Sequence, residues 1–238
     1  MIRMHSLVLW MTMATAFLLG LGARSAPAQQ SAGSAAKGAA EALPKDVYPD
    51  SRFRLPLLKR EELDEQGKKH YDELAGRGTR TLAGFQGPSG IRLYSPVVGE
   101  HMNAVNQYLR FEAGIDGRLR ELAILVSARE ASNQFEWTQH EVAGLKEGLP
   151  QSTVDIIKYR KPVAGLGEKE AAIVRLGREM LGDKKVSSAT FAEALRLFGK
   201  KGLVDMVSLM AHYTATAALL TAFDAHLPEG EKQLLPQP

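Results

Sequence analysis

The chain has 238 residues, 45% of them hydrophobic, so its length suits one medium domain or two small ones with a sizeable core. It contains no cysteine, which excludes disulfides, thiolate catalysis and cysteine-ligated zinc. The 30 basic residues barely outnumber the 27 acidic ones and are dispersed along the chain, so the charge does not indicate nucleic acid as a partner.

The first 28 residues have the pattern of a secretory signal peptide. Arg3 gives a positive start, residues 6–22 are largely apolar, and Ala26-Pro27-Ala28 is a small-residue cleavage site. The alternative is a membrane anchor, but the apolar run is short for a span of about 20 residues. We therefore expect cleavage after Ala28, a periplasmic or secreted location, and no membrane contact by the mature chain.

Residues 29–58 are predicted to be a disordered or extended linker, and residues 59–238 to form a single all-α domain. Residues 29–40 are small and polar, and three prolines within 44–58 favour extended chain. From residue 59 onward no run of alternating β-branched residues occurs, which argues against strands.

Helical periodicity and cap residues predict the elements of this domain in chain order. The expected helices cover residues 61–74, a stretch from Pro96, and residues 118–131, 134–146, 151–159, 166–181, 189–198 and 202–223; residues 75–90 are expected to be a loop. The helix from Pro96 takes part of its apolar side from Val97, Val98 and Val105. Gly199 ends one helix, and the last helix is the longest and least charged, so it should be the most buried.

The helices 118–131 and 134–146 form the stretch around which the chain is organised, because they carry Glu121, Glu136 and His140. Glu136 and His140 are four residues apart and share a helix face. If the two helices fold back on each other at Ser132-Asn133, Glu121 can meet His140, and a carboxylate beside an imidazole is a usable acid–base pair.

Structural roles compete with this interpretation. Asn133-x-x-Glu136 has the form of a capping box, and Glu121 can equally pair with Arg118. His212-Tyr213, inside the last helix, is either a satisfied core pair or part of the wall of the same pocket. No His-x3-His pair occurs, so we predict no metal site.

The segment 120–150 resembles the carboxymuconolactone decarboxylase-like family of the alkylhydroperoxidase D-like superfamily. The resemblance rests on Arg120-Glu121-Leu122 and Glu136-Trp137-x-x-His140, and it extends more weakly over residues 90–227. The redox branch of the family has cysteines where Asn133 and Glu136 stand here, so its peroxidase chemistry does not carry over. The resemblance implies an all-α bundle with a central helical hairpin that forms trimers or hexamers.

The resemblance implies a cofactor-free lyase acting on a small carboxylated lactone or a related cyclic acid. The predicted signal peptide, which departs from the cytoplasmic enzyme of the family, makes it an exported one. His140 would deliver a proton to the carbon that loses carbon dioxide, Glu121 would orient His140, and Glu136 would tune the site or cap the helix. Arg120 would either hold the substrate carboxylate or face solvent. The remaining pocket residues expected are Phe135, Trp137, Leu209, His212 and Tyr213.

Two other functions stay open at this point. A non-catalytic oligomeric scaffold or ligand-binding protein would keep the fold without the chemistry. An antioxidant, peroxidase-like function is the weaker alternative, because the chain has no thiol. Whether Glu121 and His140 converge on a cavity separates the catalytic interpretation from the scaffold.

Overall fold

The computed structural model describes residues 43–76 and 80–236, and the regular elements within these residues are all helical. The α-helices are α1 (Glu65–Ala75), α2 (Pro88–Arg92), α3 (Pro96–Gln107), α4 (Gly117–Glu130), α5 (Gln134–Lys146), α6 (Gln151–Lys158), α7 (Glu168–Gly177) and α8 (Ser188–Ala222). Short 3₁₀ turns lie at Arg60–Glu62 and Gly84–Gln86, and π-helical turns at Tyr108–Glu112 and Arg178–Gly182. The predicted signal peptide lies outside the described residues.

Helix α4 is the centre of the bundle. Its side chains from Leu122 to Ala128 are all at most 1% exposed, and α5, α6, α7 and α8 pack around it. A helix buried on every side needs an almost uncharged surface over that length, and this stretch has one. Asp116 caps the start of α4 by accepting hydrogen bonds from the backbone N–H groups of Arg118 and Leu119.

Helices α4 and α7 come unusually close. A Cβ atom at Gly177 would lie 2.3 Å from Cγ1 of Val126, whose β-branched side chain has little freedom to move aside. Glycine therefore sets the distance between the two helices at this crossing.

The central hairpin forms as predicted, and α5 has the predicted bounds. Ser132 adopts φ +49°, which reverses the chain, and the Asn133 side chain accepts a hydrogen bond from the Glu136 backbone N–H at 2.9 Å. The second half of the predicted capping box is wrong. The Asn133 N–H donates to the Ala128 carbonyl at 2.9 Å, so the Glu136 carboxylate is free to point elsewhere.

Helix α8 contains the predicted break at Gly199, which has φ +67° and ψ 175°. Ser187 caps the start of α8 by accepting a hydrogen bond from the Thr190 N–H. By length and composition alone α8 could cross a membrane, with a mean hydropathy of 1.4 over its most apolar window. Core helices pass the same test, and 56% of that window is buried in this domain.

Residues 43–58, part of the predicted disordered or extended linker, have no helix and pack onto the domain. Phe53 is fully buried against Leu220 and Leu227, and the Arg54 N–H donates to the Phe223 carbonyl at 2.9 Å. Apolar burial and backbone hydrogen bonds therefore attach this segment to the end of α8. The predicted loop 75–90 needs correction, because α2 begins inside it at Pro88, a residue suited to a first helical turn.

One predicted apolar face is not covered within the protomer. Val97, Val98 and Val105 of α3 are 54%, 52% and 43% exposed, whereas Leu109 is buried. The apolar surface of α3 therefore lies on the outside of the isolated chain.

Candidate active site

The hairpin brings Glu121, His140 and Glu136 into one buried line. The Oε2 atom of Glu121 lies 2.6 Å from Nδ1 of His140, and Oε2 of Glu136 lies 3.3 Å from Nε2 on the other side of the ring. All three residues are at most 3% exposed. The imidazole is thus held between two carboxylates, one from each helix of the hairpin.

The helical period of α5 decides which of its residues share this site. Phe135, Glu136, Gln139 and His140 lie at positions i, i+1, i+4 and i+5, which is one face of a helix. Trp137 is rotated by about 100° from Glu136. It belongs to the face directed away from the cavity, where its Nε1–H donates to Glu141.

The charged groups around Glu121 and His140 stabilise one another. Burial pushes the pKa of Glu121 upward, but His140, Arg110 and Arg120 outweigh it and bring the pKa to about 2. Burial likewise lowers the pKa of His140, while Glu121 and Glu136 raise it, and the net direction is upward. The site therefore favours a carboxylate at Glu121 and an imidazolium at His140.

Glu136 and His140 face a cavity of ≈ 70 Å³ between α2, α3, α5 and α8. Its volume exceeds the roughly 10–15 Å³ that one water needs, so a small organic molecule or several waters fit. The side chains that give it its chemistry are Arg92, Asn106, Arg110, Phe135, Glu136, Gln139, His140, His212, Tyr213 and Thr216.

Two arginines in this cavity were missed by the sequence analysis. Arg92 donates from Nη2 to Thr216 Oγ1 at 2.8 Å, and among the described residues no carboxylate lies within ion-pair distance of it. Burial lowers the pKa of Arg92, and the charge of Glu136 opposes that shift. A largely buried cation without an ion-pair partner is a favourable site for an anion.

Arg110 lies in the π-helical turn after α3 and is 8% exposed. Its Nη2 is 3.4 Å from Oε1 of Glu121, and its buried Nε has no hydrogen-bond partner. The extra residue in a π-turn shifts the helical phase, so a regular 3.6-residue pattern could not place this side chain inside.

His212 and Tyr213 both line the cavity. The Tyr213 ring stands edge-on to His140 with 4.9 Å between centroids, and its hydroxyl donates to Asn106 Oδ1 at 3.3 Å. Burial raises the pKa of Tyr213, and burial together with Arg92 and Arg110 lowers the pKa of His212 to about 4. Near neutral pH, the lowered pKa of His212 therefore favours a neutral imidazole, whereas His140 in the same cavity favours the charged form.

Three residues expected in the pocket lie elsewhere. Trp137 and Leu209 are fully buried in the core around α4. Arg120 does not reach the cavity, because it donates to Glu121, Glu147 and the Arg110 carbonyl. Arg120 thus holds the Glu121 carboxylate, and Arg92, not Arg120, lines the cavity. Among the described residues no cluster of His, Asp and Glu is arranged to hold a metal ion.

A comparison with solved structures identifies the fold. The chain is similar to a protein of unknown function from Agrobacterium tumefaciens, provisionally described as the antioxidant defence protein AhpD. The TM-score is 0.54 and the identity 14%, over 58% of this chain and 95% of that one. The chain has the alkylhydroperoxidase D-like fold. No family model and no curated protein matches its sequence.

The first prediction concerns the protonation of this site. We expect His140 to titrate above the ordinary histidine pKa of about 6.5, and His212 near pH 4. Glu121→Gln removes the carboxylate at Nδ1, so the pKa of His140 should fall. Histidine NMR titration measures both, and Glu147→Gln, which alters a carboxylate bonded to Arg120, is the matched control. A wild-type His140 pKa below 6.5 would contradict the assignment.

The same pKa shifts determine how the contribution of the Glu121–His140 pair to the free energy of unfolding depends on pH. The pKa of His140 is raised on folding, so its contribution is complete below about pH 6.5 and is lost as the pH rises through the folded-state pKa. The pKa of Glu121 is lowered to about 2, so its contribution is complete above its unfolded pKa and is lost as the pH falls through 2.

Proposed function

We propose that the protein is an acid–base enzyme that decarboxylates a small cyclic carboxylic acid, such as a carboxylated lactone. The observation that carries the proposal is the Glu121–His140–Glu136 line, which ends at a cavity that Arg92 and Arg110 also face. The alkylhydroperoxidase D-like fold supports it, and so does the resemblance of segment 120–150 to the carboxymuconolactone decarboxylase-like family. No cofactor is invoked.

In the proposed reaction the bond between the ring carbon and the carboxylate breaks, and carbon dioxide leaves. The electron pair stays on the carbon and delocalises onto a conjugated carbonyl oxygen. Arg92 and Arg110 stabilise the charge that develops there. A proton from His140 Nε2, shared with Glu136 at the cavity wall, then goes to the carbon, and solvent protonates His140 again.

Glu121 acts as a positioning residue in this scheme. Its carboxylate holds the ring through Nδ1 and keeps it charged, so Nε2 carries a proton toward the cavity. Glu136 takes a more direct role than tuning or capping, because its carboxylate contacts Nε2 and not the start of α5. This arrangement favours catalysis over a scaffold that binds no ligand, since such a scaffold would need no cavity beside His140.

A thiol-dependent peroxidase function is not proposed. The solved neighbour is provisionally described as an antioxidant defence protein, but the chain here has no cysteine. Of the residues at the two corresponding positions, Asn133 caps α5 and Glu136 contacts His140. Neither can form a disulfide or a sulfenic acid.

The second prediction tests the proposed reaction. Purified protein is incubated with carboxylated lactones and keto acids, and products are identified by mass spectrometry. Removing an acid–base group typically costs about 10²–10⁴ in rate, so Glu136→Gln and His140→Gln should each lower kcat by that range. Glu121→Gln should do the same, and the double variant with His140→Gln should cost little more than the worse single change.

Glu100→Gln is the control, because Glu100 is exposed and accepts a hydrogen bond from Gln66 on the surface. It should keep full activity. Circular dichroism checks that each variant is folded. Turnover that survives His140→Gln and Glu136→Gln in folded protein would refute the proposed roles.

We further propose that the protein works as a homo-oligomer, a trimer or a hexamer. The exposed valines of α3 are joined by Val204 of α8, which is 64% exposed. Ala211, Ala215 and Ala218 continue the exposed face of α8 at helical spacing without any charge. The Tyr108 hydroxyl accepts a hydrogen bond from Lys201 at 2.8 Å, so the two faces adjoin. A second copy would cover this apolar surface.

The third prediction concerns assembly. Light scattering at micromolar concentration should give the mass of a trimer or a multiple of it. A charge in the apolar surface must be desolvated on assembly, so Val98→Glu combined with Val204→Glu should lower the mass to that of the protomer. Tyr159→Glu, at an exposed residue on another surface, should leave the mass unchanged. A monomeric wild-type protein would contradict the proposal.

Export is the remaining proposal, and it rests on the sequence of residues 1–28. As the fourth prediction, intact-mass measurement of protein recovered from the periplasm or medium should give a chain that begins at Gln29. Replacing Ala26 and Ala28 with bulky residues should block cleavage, because the processing site requires small side chains. Full-length protein retained in the cytoplasm would count against export.

A further inference from the structure

A second, larger cavity lies directly outside the first. It has a volume of ≈ 500 Å³, against ≈ 70 Å³ for the cavity at His140. The two cavities share Thr81, Ser89, Arg92 and Asn106 in their walls. Arg92 therefore stands at the junction, with one cavity on each side.

Half of the residues that line the outer cavity, six of the twelve, come from the part of the chain that precedes the family-like segment 90–227. Helix α1 contributes His70 and Glu73, and the chain that follows contributes Arg80. Gly99 of α3 lets α1 approach closely, since a Cβ atom there would lie 3.2 Å from Nε2 of His70. The N-terminal region thus adds a chamber in front of the proposed active site.

The walls of this chamber carry an excess of positive charge. The Arg80 guanidinium lies 4.3 Å from the centre of the Phe111 ring, and no carboxylate of the described residues is within ion-pair distance of it. Arg92 adds a second cation. The one carboxylate in the wall, Glu73, is 51% exposed and lies 3.7 Å from Nδ1 of His70.

We propose that the outer cavity is an anion-binding subsite, which holds a distal carboxylate or phosphate group of the substrate through Arg80. Its role toward a substrate rests on the proposed function, in which the reacting end of the molecule occupies the inner cavity. A cation–π contact holds the Arg80 guanidinium over Phe111, and its N–H groups can bind two oxygens of an anion. Arg92 is close to both bound groups.

The fifth prediction tests this subsite by binding, without turnover. Isothermal titration calorimetry compares butyrate, glutarate and 3-phosphonopropionate as unreactive probes. A second charge-assisted contact should make at least one of the two doubly anionic probes bind roughly tenfold more tightly than butyrate. If glutarate binds more tightly than the phosphonate, the subsite prefers a carboxylate. If the phosphonate binds more tightly, the subsite prefers a phosphate.

Two variants separate the cavities. Arg80→Gln should remove the advantage of the doubly anionic probes and leave the affinity for butyrate unchanged, whereas Arg92→Gln should weaken all three. Arg80 is exposed, so its replacement should not unfold the protein, and Arg80→Lys should retain part of the advantage. Arg60→Gln, at an exposed arginine already paired with Asp72, is the matched control and should change nothing.

The outcomes distinguish this proposal from the proposed function. Equal affinities for butyrate and both doubly anionic probes, or an equal loss of all three in Arg80→Gln, would refute the outer subsite alone. Butyrate binding that Arg92→Gln leaves intact would instead remove the anion site of the proposed reaction. Tight binding of glutarate or the phosphonate that depends on Arg80 would support the subsite even if no decarboxylation were found.

Discussion

The buried ion pair between Glu121 and His140 is the interaction on which the site depends. Taking two charges out of water is costly, and the cost is offset only when each charge has partners close by. Here His140 has Glu136 on its other nitrogen, and Glu121 has Arg110 and Arg120. Such an arrangement restricts the hairpin to one register, because a shift of α5 against α4 would leave a buried charge without its partner.

The same burial separates the pKa values of two histidines in this cavity. Two carboxylates raise the pKa of His140, while burial and two arginines lower the pKa of His212, which lines the same cavity. The cavity thereby holds a proton donor, a neutral imidazole and positive charge within one small volume. Separation of pKa values by environment is how acid–base sites work near neutral pH.

Much of the fold follows from local pattern. The helical class, the bounds of α5, the Asn133 and Ser187 caps and the break at Gly199 are fixed by periodicity and by short-range hydrogen bonding, both of which are legible in the sequence. Proline content describes backbone preference only, so it did not show that residues 43–58 pack onto the domain. The burial of Phe53 depends on a hydrophobic surface supplied by the end of α8, far along the chain.

The sequence by itself determined that Glu136 and His140 share a helix face and that Glu121 could reach them, since helical spacing and hairpin geometry are local properties. Only the tertiary structure decided that Glu136 contacts the imidazole and does not complete the capping box, and that Arg92 and not Arg120 faces the cavity. Both depend on how α2 and α3 pack against α5 and α8. The direction of a charged side chain at this site is set by the helices that surround it. The residue spacing within a single helix does not show which helices those are.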